Sequence, residues 1–464
     1  MQSSPSSSSK NNTHRHTLIA LVTWLCRIVT GCVFVFSGFV KGIDPWGTVY
    51  KMDEYLVALG MPLYDSLILA GVFGLCALEF LIGIYLIFGC YRKSAPMLAL
   101  LFMCVMLPLT LWIAIADPVA DCGCFGDALV ISNWATFWKN VAITCLIIWL
   151  IKFNRRVPCI ITPAFQWMAF VATVLYMICI CWYGYNIQPM LDFRPFSVGT
   201  DLGAEVEQNE DSDDTTFLFT YSKDGVTKDF TAEEVPADDS GWTFVSRKEI
   251  FPDCDKNGDK NKETGHDFSV MDRDGNEEVT SEAIDSEGKE LLLLIPSLDR
   301  ISASTTYKIN MLHDWATAKD IRFVAIVAAH TGDIAEWEDM SMPGYDIYTA
   351  DDTAIKELAR GNPAVVYLKD GVIKWKTSLY SINEDEFTAA EAGNNVNAEV
   401  DLLPYDGKRT LINWSLIYVA VMAMLVCISF VPRLARLFRP LEYKGERHKK
   451  EHAGKDPSDT SDKS

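Results

Sequence analysis

Six apolar runs, near residues 18–40, 66–89, 95–116, 135–153, 163–184 and 410–431, constrain this chain more than any other feature. Each approaches the roughly 20 residues that a helix needs to cross a hydrocarbon layer of about 30 Å. Six such stretches cannot all be buried in a water-soluble core, so the sequence predicts a multi-pass α-helical membrane protein in contact with lipid. The first run is too long for a removable signal peptide and runs on without a small-residue cleavage site, so it is expected to stay as an anchor. Charge then sorts by segment. The whole chain carries a net charge of -20, yet its acidic residues concentrate in 185–408 and the remainder is basic on balance. That distribution speaks for an acidic extramembrane domain, with no nucleic-acid partner.

Basic residues in short loops stay on the cytoplasmic side. Lys10 and Arg15 precede the first run, Arg92 and Lys93 follow the second, and Lys152, Arg155 and Arg156 follow the fourth. Both termini are therefore expected in the cytoplasm. Residues 41–65, the loop at 117–134 and the domain at 185–408 are expected on the opposite side, periplasmic if the membrane is a bacterial inner membrane. The ends, 1–16 and 432–464, are polar or basic and lack the apolar residues of a core, which reads as disorder. Between them the chain divides into four helices over 17–153, a fifth over 154–184, a strand-rich acidic region at 185–265, an α/β domain at 266–390, a linker at 391–409 and a sixth helix at 410–431.

The loop reads DPVADCGCFGDALVISNW. Two cysteines at i and i+2 come within disulfide reach when the residue between them, Gly123, adopts angles that side chains disfavour. The ring closed by Cys122 and Cys124 is small, and strain would make the bond an oxidant toward other thiols. Asp121 and Asp127 would raise the thiol pKa values, whereas Lys139, one turn into the next helix, would lower them. A structural disulfide and half of a metal site remain alternatives, although two thiolates without a histidine under-fill a zinc site. Cys179 and Cys181 fall on a helix about 200° apart, so they cannot bond to each other. One of them could face the loop pair; packing or lipid contact is the plainer reading.

The stretch FVFSGFVKGIDPWG, taken with DCGCFGDALVISNWATFWKN, resembles the DoxX-like and MauE-like membrane proteins, bacteroidete ones in particular, over residues 17–153. The resemblance implies a four-helix bundle. It also implies disulfide handling, as in MauE members, or quinone-linked sulfur oxidation, as in DoxX members. A quinone is thus the one cofactor suggested, and no resident metal is expected.

Charged residues inside apolar spans suggest function or a structural ion pair. Arg27 and Glu79 lie at similar depth and are expected to pair. Lys41 and Asp44 are expected at the outer end, shaping a vestibule beside the interfacial Trp46.

In the acidic domain, TTFLFTYSKDG and GWTFVSRKEIF read as strands. DCDKNGDKNKET resembles a calcium-binding EF-hand loop but has Thr264 where the bidentate glutamate belongs, so a solvated loop is the simpler reading. From His266 onward, strands and helices alternate, as in an α/β sandwich. This part resembles a thioredoxin-like domain, which places Pro363 at that family's cis-proline position. Where such domains carry Cys-x-x-Cys, this chain has Pro296, Ser297, Leu298 and Asp299. The resemblance therefore implies a groove, lined by Ser297, Asp299 and Pro363, that has no thiol; Cys254 precedes it in a polar loop.

Together these readings predict a thiol-disulfide oxidoreductase of the inner membrane, an enzyme that works on a periplasmic thiol or disulfide client through Cys122 and Cys124, with the bundle passing electrons to or from a quinone. Two rivals stand beside it: a non-catalytic scaffold for a periplasmic client, and a transporter of a small solute or metal.

Overall fold

The computed structural model describes residues 7–61, 64–116, 122–202, 216–223, 226–231, 243–250, 268–275, 277–329, 331–382 and 407–437. They belong to two compact units, residues 1–182 with 408–464 and residues 183–407. Asp121, Cys254 and the EF-hand-like stretch lie outside the described residues.

The first unit holds α1 (Ser7–Ile43), α2 (Pro45–Ala58), α3 (Asp65–Phe88), α4 (Ser94–Ala116), α5 (Asn133–Phe153) and α6 (Gln166–Asn186), with the last described helix, Gly407–Leu437, returning to it. Among the described residues six helices are long and apolar enough to cross a membrane: Arg15–Ile43, Ser66–Phe88, Ser94–Ala116, Asn133–Phe153, Pro163–Asn186 and Gly407–Val431. The chain is a multi-pass membrane protein. α1 begins at Ser7 and the last helix runs to Leu437, so 7–16 and 432–437 are helical where the sequence reads as disorder, each continuing the turn of an adjoining span. α2 is not among these spans. It begins where Asp44 accepts a hydrogen bond from Gly47 N (3.0 Å) with Pro45 at the first helical position, a strong start signal.

The α1–α3 contact sets the register of the bundle. A Cβ on Gly31 would strike Ile87, one on Gly38 would strike the backbone of Cys76 and Phe80, and one on Gly83 would strike the backbone of Gly31 and Val35. Small residues thus let the two backbones meet, as is common where lipid supplies no hydrophobic drive between helices. The Gly407–Leu437 helix is held to α6 differently. Tyr418 stacks on Tyr176 with ring centroids 4.4 Å apart, its hydroxyl lies 3.0 Å from Thr173 Oγ1, and Tyr176 Oη lies 2.8 Å from Ser415 Oγ.

In the second unit, β1 (Thr216–Lys223), β2 (Val226–Thr231) and β3 (Thr243–Ile250) form an antiparallel sheet in the order β2-β1-β3. A six-stranded mixed sheet follows, in the order β4-β7-β6-β5-β8-β9, built from Val270–Met271, Lys289–Ile295, Arg322–Val327, Asp346–Ala350, Ala364–Lys369 and Val372–Ser378 as β4 to β9. β5, β6 and β7 run parallel, while β8 pairs antiparallel with β5. Leu291, Leu293 and Ile295 pack into one core and Leu292 and Leu294 into the other. An apolar run with both faces covered is what a central strand requires. The helix Thr331–Ser341 and strand β7 interrupt a stretch that the sequence reading had passed over.

Candidate functional site

The Cys122–Cys124 loop is held by three elements. α2 contributes Tyr55, whose hydroxyl donates to the Cys122 carbonyl (2.6 Å). α4 contributes Ile113, which clusters with both cysteines, and Met106, Leu109 and Trp112, which pack against that cluster. α1 contributes Ser37, with Oγ 2.8 Å from the Cys124 carbonyl. Gly123 has φ +58°, a conformation that favours glycine, and a side chain there would also approach Lys51 Cγ to 3.2 Å. The two sulfurs lie 2.9 Å apart and both cysteines are buried.

Beneath the loop is a buried charged cluster. Lys41 Nζ lies 2.8 Å and 3.0 Å from the two Glu79 oxygens and donates to Ser37 Oγ (3.2 Å). Ser37 Oγ is 2.8 Å from Glu79 Oε2 as well as from the Cys124 carbonyl. Its single hydroxyl proton serves one of these acceptors at a time, which ties the state of Glu79 to the loop backbone. Lys41 and Glu79 are 5% and 2% exposed, so each charge depends on the other. Lys139 reaches the loop from α5, its Nζ 3.9 Å above the Phe125 ring.

The pair shares a proton unequally. Cys124 is lowered to about 7, first by the hydrogen bond from Cys122 and then by Lys41 and Lys139, which together outweigh burial. Cys122, which retains the proton, is pushed up. Cys124 is therefore the better leaving group of the two.

Several sequence expectations are revised by this geometry. Arg27 does not pair with Glu79. Its Nε donates to Leu86 O (3.0 Å), Nη1 to Pro158 O (3.2 Å) and Nη2 to Ile87 O (3.2 Å), and its guanidinium lies over Trp24. The glycine-set register is the reason: it puts Arg27 opposite the end of α3 and Ser37 and Lys41 opposite Glu79. Lys41 is a buried partner in an ion pair, not a vestibule residue, and Asp44 caps α2. Asp127 is exposed. Cys181, buried on α6, hydrogen-bonds Cys76 of α3, while Cys179 is half-buried. Ser37 and Tyr55 escaped the sequence reading; the i, i+4 spacing of Ser37 and Lys41 was the available signal for the former, and Tyr55 had none.

In the second unit, the side-chain amide of Asn362 donates to Ser297 O (2.8 Å), which brings the loop before Pro363 to the end of β5; the Asn362–Pro363 peptide is cis. Ser297 is half-buried and Asp299 exposed. The described free cysteines all belong to the first unit. Among the described residues, no three His, Cys, Asp or Glu side chains cluster as metal ligands.

Fold and site together define a multi-pass membrane protein with a dithiol loop seated on a helical bundle. Residues 19–153 match the family model described as methylamine utilisation protein MauE, so this segment is MauE-like. Residues 215–251, which include the β1–β3 sheet, match a domain of unknown function, DUF8463. No curated protein matches the chain.

Proposed function

We propose that the MauE-like segment exchanges disulfides with a client protein through Cys122 and Cys124, in a bacterial inner membrane with both termini cytoplasmic. The observation that carries this reading is the 2.9 Å sulfur pair set beside two lysines. Two positive charges favour the thiolate of Cys124, and a favoured thiolate is a good leaving group. Starting from the Cys122–Cys124 disulfide, a client thiolate attacks Cys122 Sγ. The Cys122–Cys124 bond breaks, the client–Cys122 bond forms, and Cys124 departs as thiolate. A second client thiolate then attacks the client sulfur of that mixed disulfide, closing the client disulfide and releasing Cys122. Two electrons pass from client to pair, and the two client protons are released for the pair to take up. The reverse sequence reduces a client.

The second unit is proposed as a thioredoxin-like docking domain. Its mixed sheet and the adjacency of the Pro363 loop to Ser297 support that reading, and Ser297 and Asp299 give the groove no thiol chemistry of its own. The cavity beside Cys124, of about 30 Å³ and lined by Ser37, Lys41, Glu79, Phe125 and Lys139, has room for one or two waters. That space is smaller than a quinone ring, and the exchange step proposed at the loop is one between protein thiols.

The test is capture of a client in its disulfide form, in membranes, by the reverse sequence. The Cys122 thiolate of Cys124→Ser should attack the client disulfide, release one client thiolate and stay bound as a mixed disulfide because no Cys124 resolves it, and Cys122→Ser should lose exchange. Full exchange in Cys122→Ser would leave the scaffold reading in its place.

A further inference from the structure

At the opposite end of the bundle from the cysteine loop, the α3–α4 and α5–α6 connections frame a cavity of about 1400 Å³. That exceeds the roughly 300–1,000 Å³ of sites built for drug-sized ligands. Its lining divides cleanly. The rim carries Arg92, Lys93, Lys152 and Arg155, and among the described residues no carboxylate lines it. The wall below is apolar, with Leu101, Trp167 and Phe170 among its exposed side chains. Arg92 is committed to structure, its Nη1 donating to the carbonyls of Arg155 (3.2 Å) and Val157 (3.0 Å). This fixes the rim: the loop bearing Arg155 is tied to the loop bearing Lys93, and Asn154 Nδ2 adds a bond to Arg92 O (3.0 Å).

The geometry points to a binding site for one anionic phospholipid, its phosphate headgroup at Lys93, Lys152 and Arg155 and its acyl chains against the Leu101–Trp167–Phe170 wall. Charge complementarity selects the occupant. A rim of four cations favours an anion and gains little from a zwitterionic headgroup or an uncharged isoprenoid quinone. A free phosphate would satisfy the rim but leave the apolar wall unused. Clusters of basic residues between membrane helices at one membrane face have the chemistry for such headgroups. The site is independent of the cysteine chemistry, since it shares no residue with the loop or with the Lys41–Glu79 pair.

The test uses the purified full chain and native mass spectrometry after delipidation, with phosphatidylglycerol, phosphatidylcholine, glycerol phosphate and an isoprenoid quinone as separate probes. Phosphatidylglycerol should bind in one copy, at least tenfold tighter than the other three. Combining Lys93→Ala, Lys152→Ala and Arg155→Ala, all exposed positions, should weaken it by roughly a hundredfold, at about fivefold per cation. Leu101→Trp, which fills the wall and keeps the charges, should weaken phosphatidylglycerol while leaving the melting profile intact. Equal binding of phosphatidylcholine would overturn the proposal, as would tight binding of glycerol phosphate or quinone, or unchanged binding in the triple variant.

Discussion

Replacing Lys41 with Met tests whether the buried ion pair holds the cysteine loop. The substitution leaves the Glu79 carboxylate, 2% exposed, with only Ser37 as a hydrogen-bond partner. Removing one member of a buried pair costs about 3–5 kcal/mol because the survivor is neither solvated nor neutralised. Replacing both with apolar residues of similar volume removes the two charges together, which is often neutral. Lys41→Met and Glu79→Met should therefore each lower the midpoint of detergent-solubilised chain by roughly 10 °C, at about 2–4 °C per kcal/mol for a large domain. The double variant should recover most of that loss, so the coupling in the cycle should exceed the cost of either single change. Lys41→Met should also slow alkylation of Cys124 at pH 7 several-fold, since one of two cations that favour the thiolate is gone. Additive losses, with the double variant worse than either single one, would refute the pairing.

Three further outcomes follow from the geometry. Cys122→Ala removes the hydrogen bond that contributes most to lowering Cys124, so the pH midpoint of Cys124 alkylation, about 7 in the wild type and with reactivity gained as pH rises through it, should move upward; an unchanged midpoint would assign the shift to the lysines alone. Gly89 ends α3 with φ +66° directly beneath the Arg27 guanidinium, so Gly89→Ala should cost about 2–4 kcal/mol through backbone strain and displacement of that arginine, read as a lowered melting midpoint. Burial raises Glu290 from 4.5 to about 7, so the folded second unit holds a proton that the unfolded chain has released; its stability should fall by roughly 3 kcal/mol as pH rises from 4.5 through 7, and Glu290→Gln should flatten that slope in proteolysis of 268–382 in the full chain.

The six spans were legible because a run of apolar residues long enough to cross a bilayer has few other uses, and their observed limits differ from the sequence reading by a few residues. The cysteine loop was legible for a similar reason: glycine between two cysteines in a polar break. The partners of the charged residues were not. Depth along a span is a one-dimensional measure, and it matched Arg27 to Glu79. The pairing depends on where Gly31, Gly38 and Gly83 let α1 and α3 touch, which is a property of two helices at once. α2 was not legible although Asp44-Pro45 marks its start, because its 14 residues are too few to stand out as a span. The Thr331–Ser341 helix and β7 are short, and neither has a periodicity strong enough to stand out from the connections around it.

The central claim, that Cys122 and Cys124 form a working redox pair and not a staple, is tested most directly by its reduction potential. Membranes carrying the full chain would be equilibrated in graded glutathione buffers, quenched with acid, alkylated and digested, and the peptide spanning the pair weighed. Lysine charge and the Cys122 hydrogen bond favour the reduced form by stabilising the Cys124 thiolate, which shifts the couple toward oxidising values. The account predicts a two-electron titration with a midpoint above about −250 mV, within reach of thiol exchange in an oxidising compartment. A pair that stays oxidised below about −300 mV, the range of structural disulfides, would contradict it.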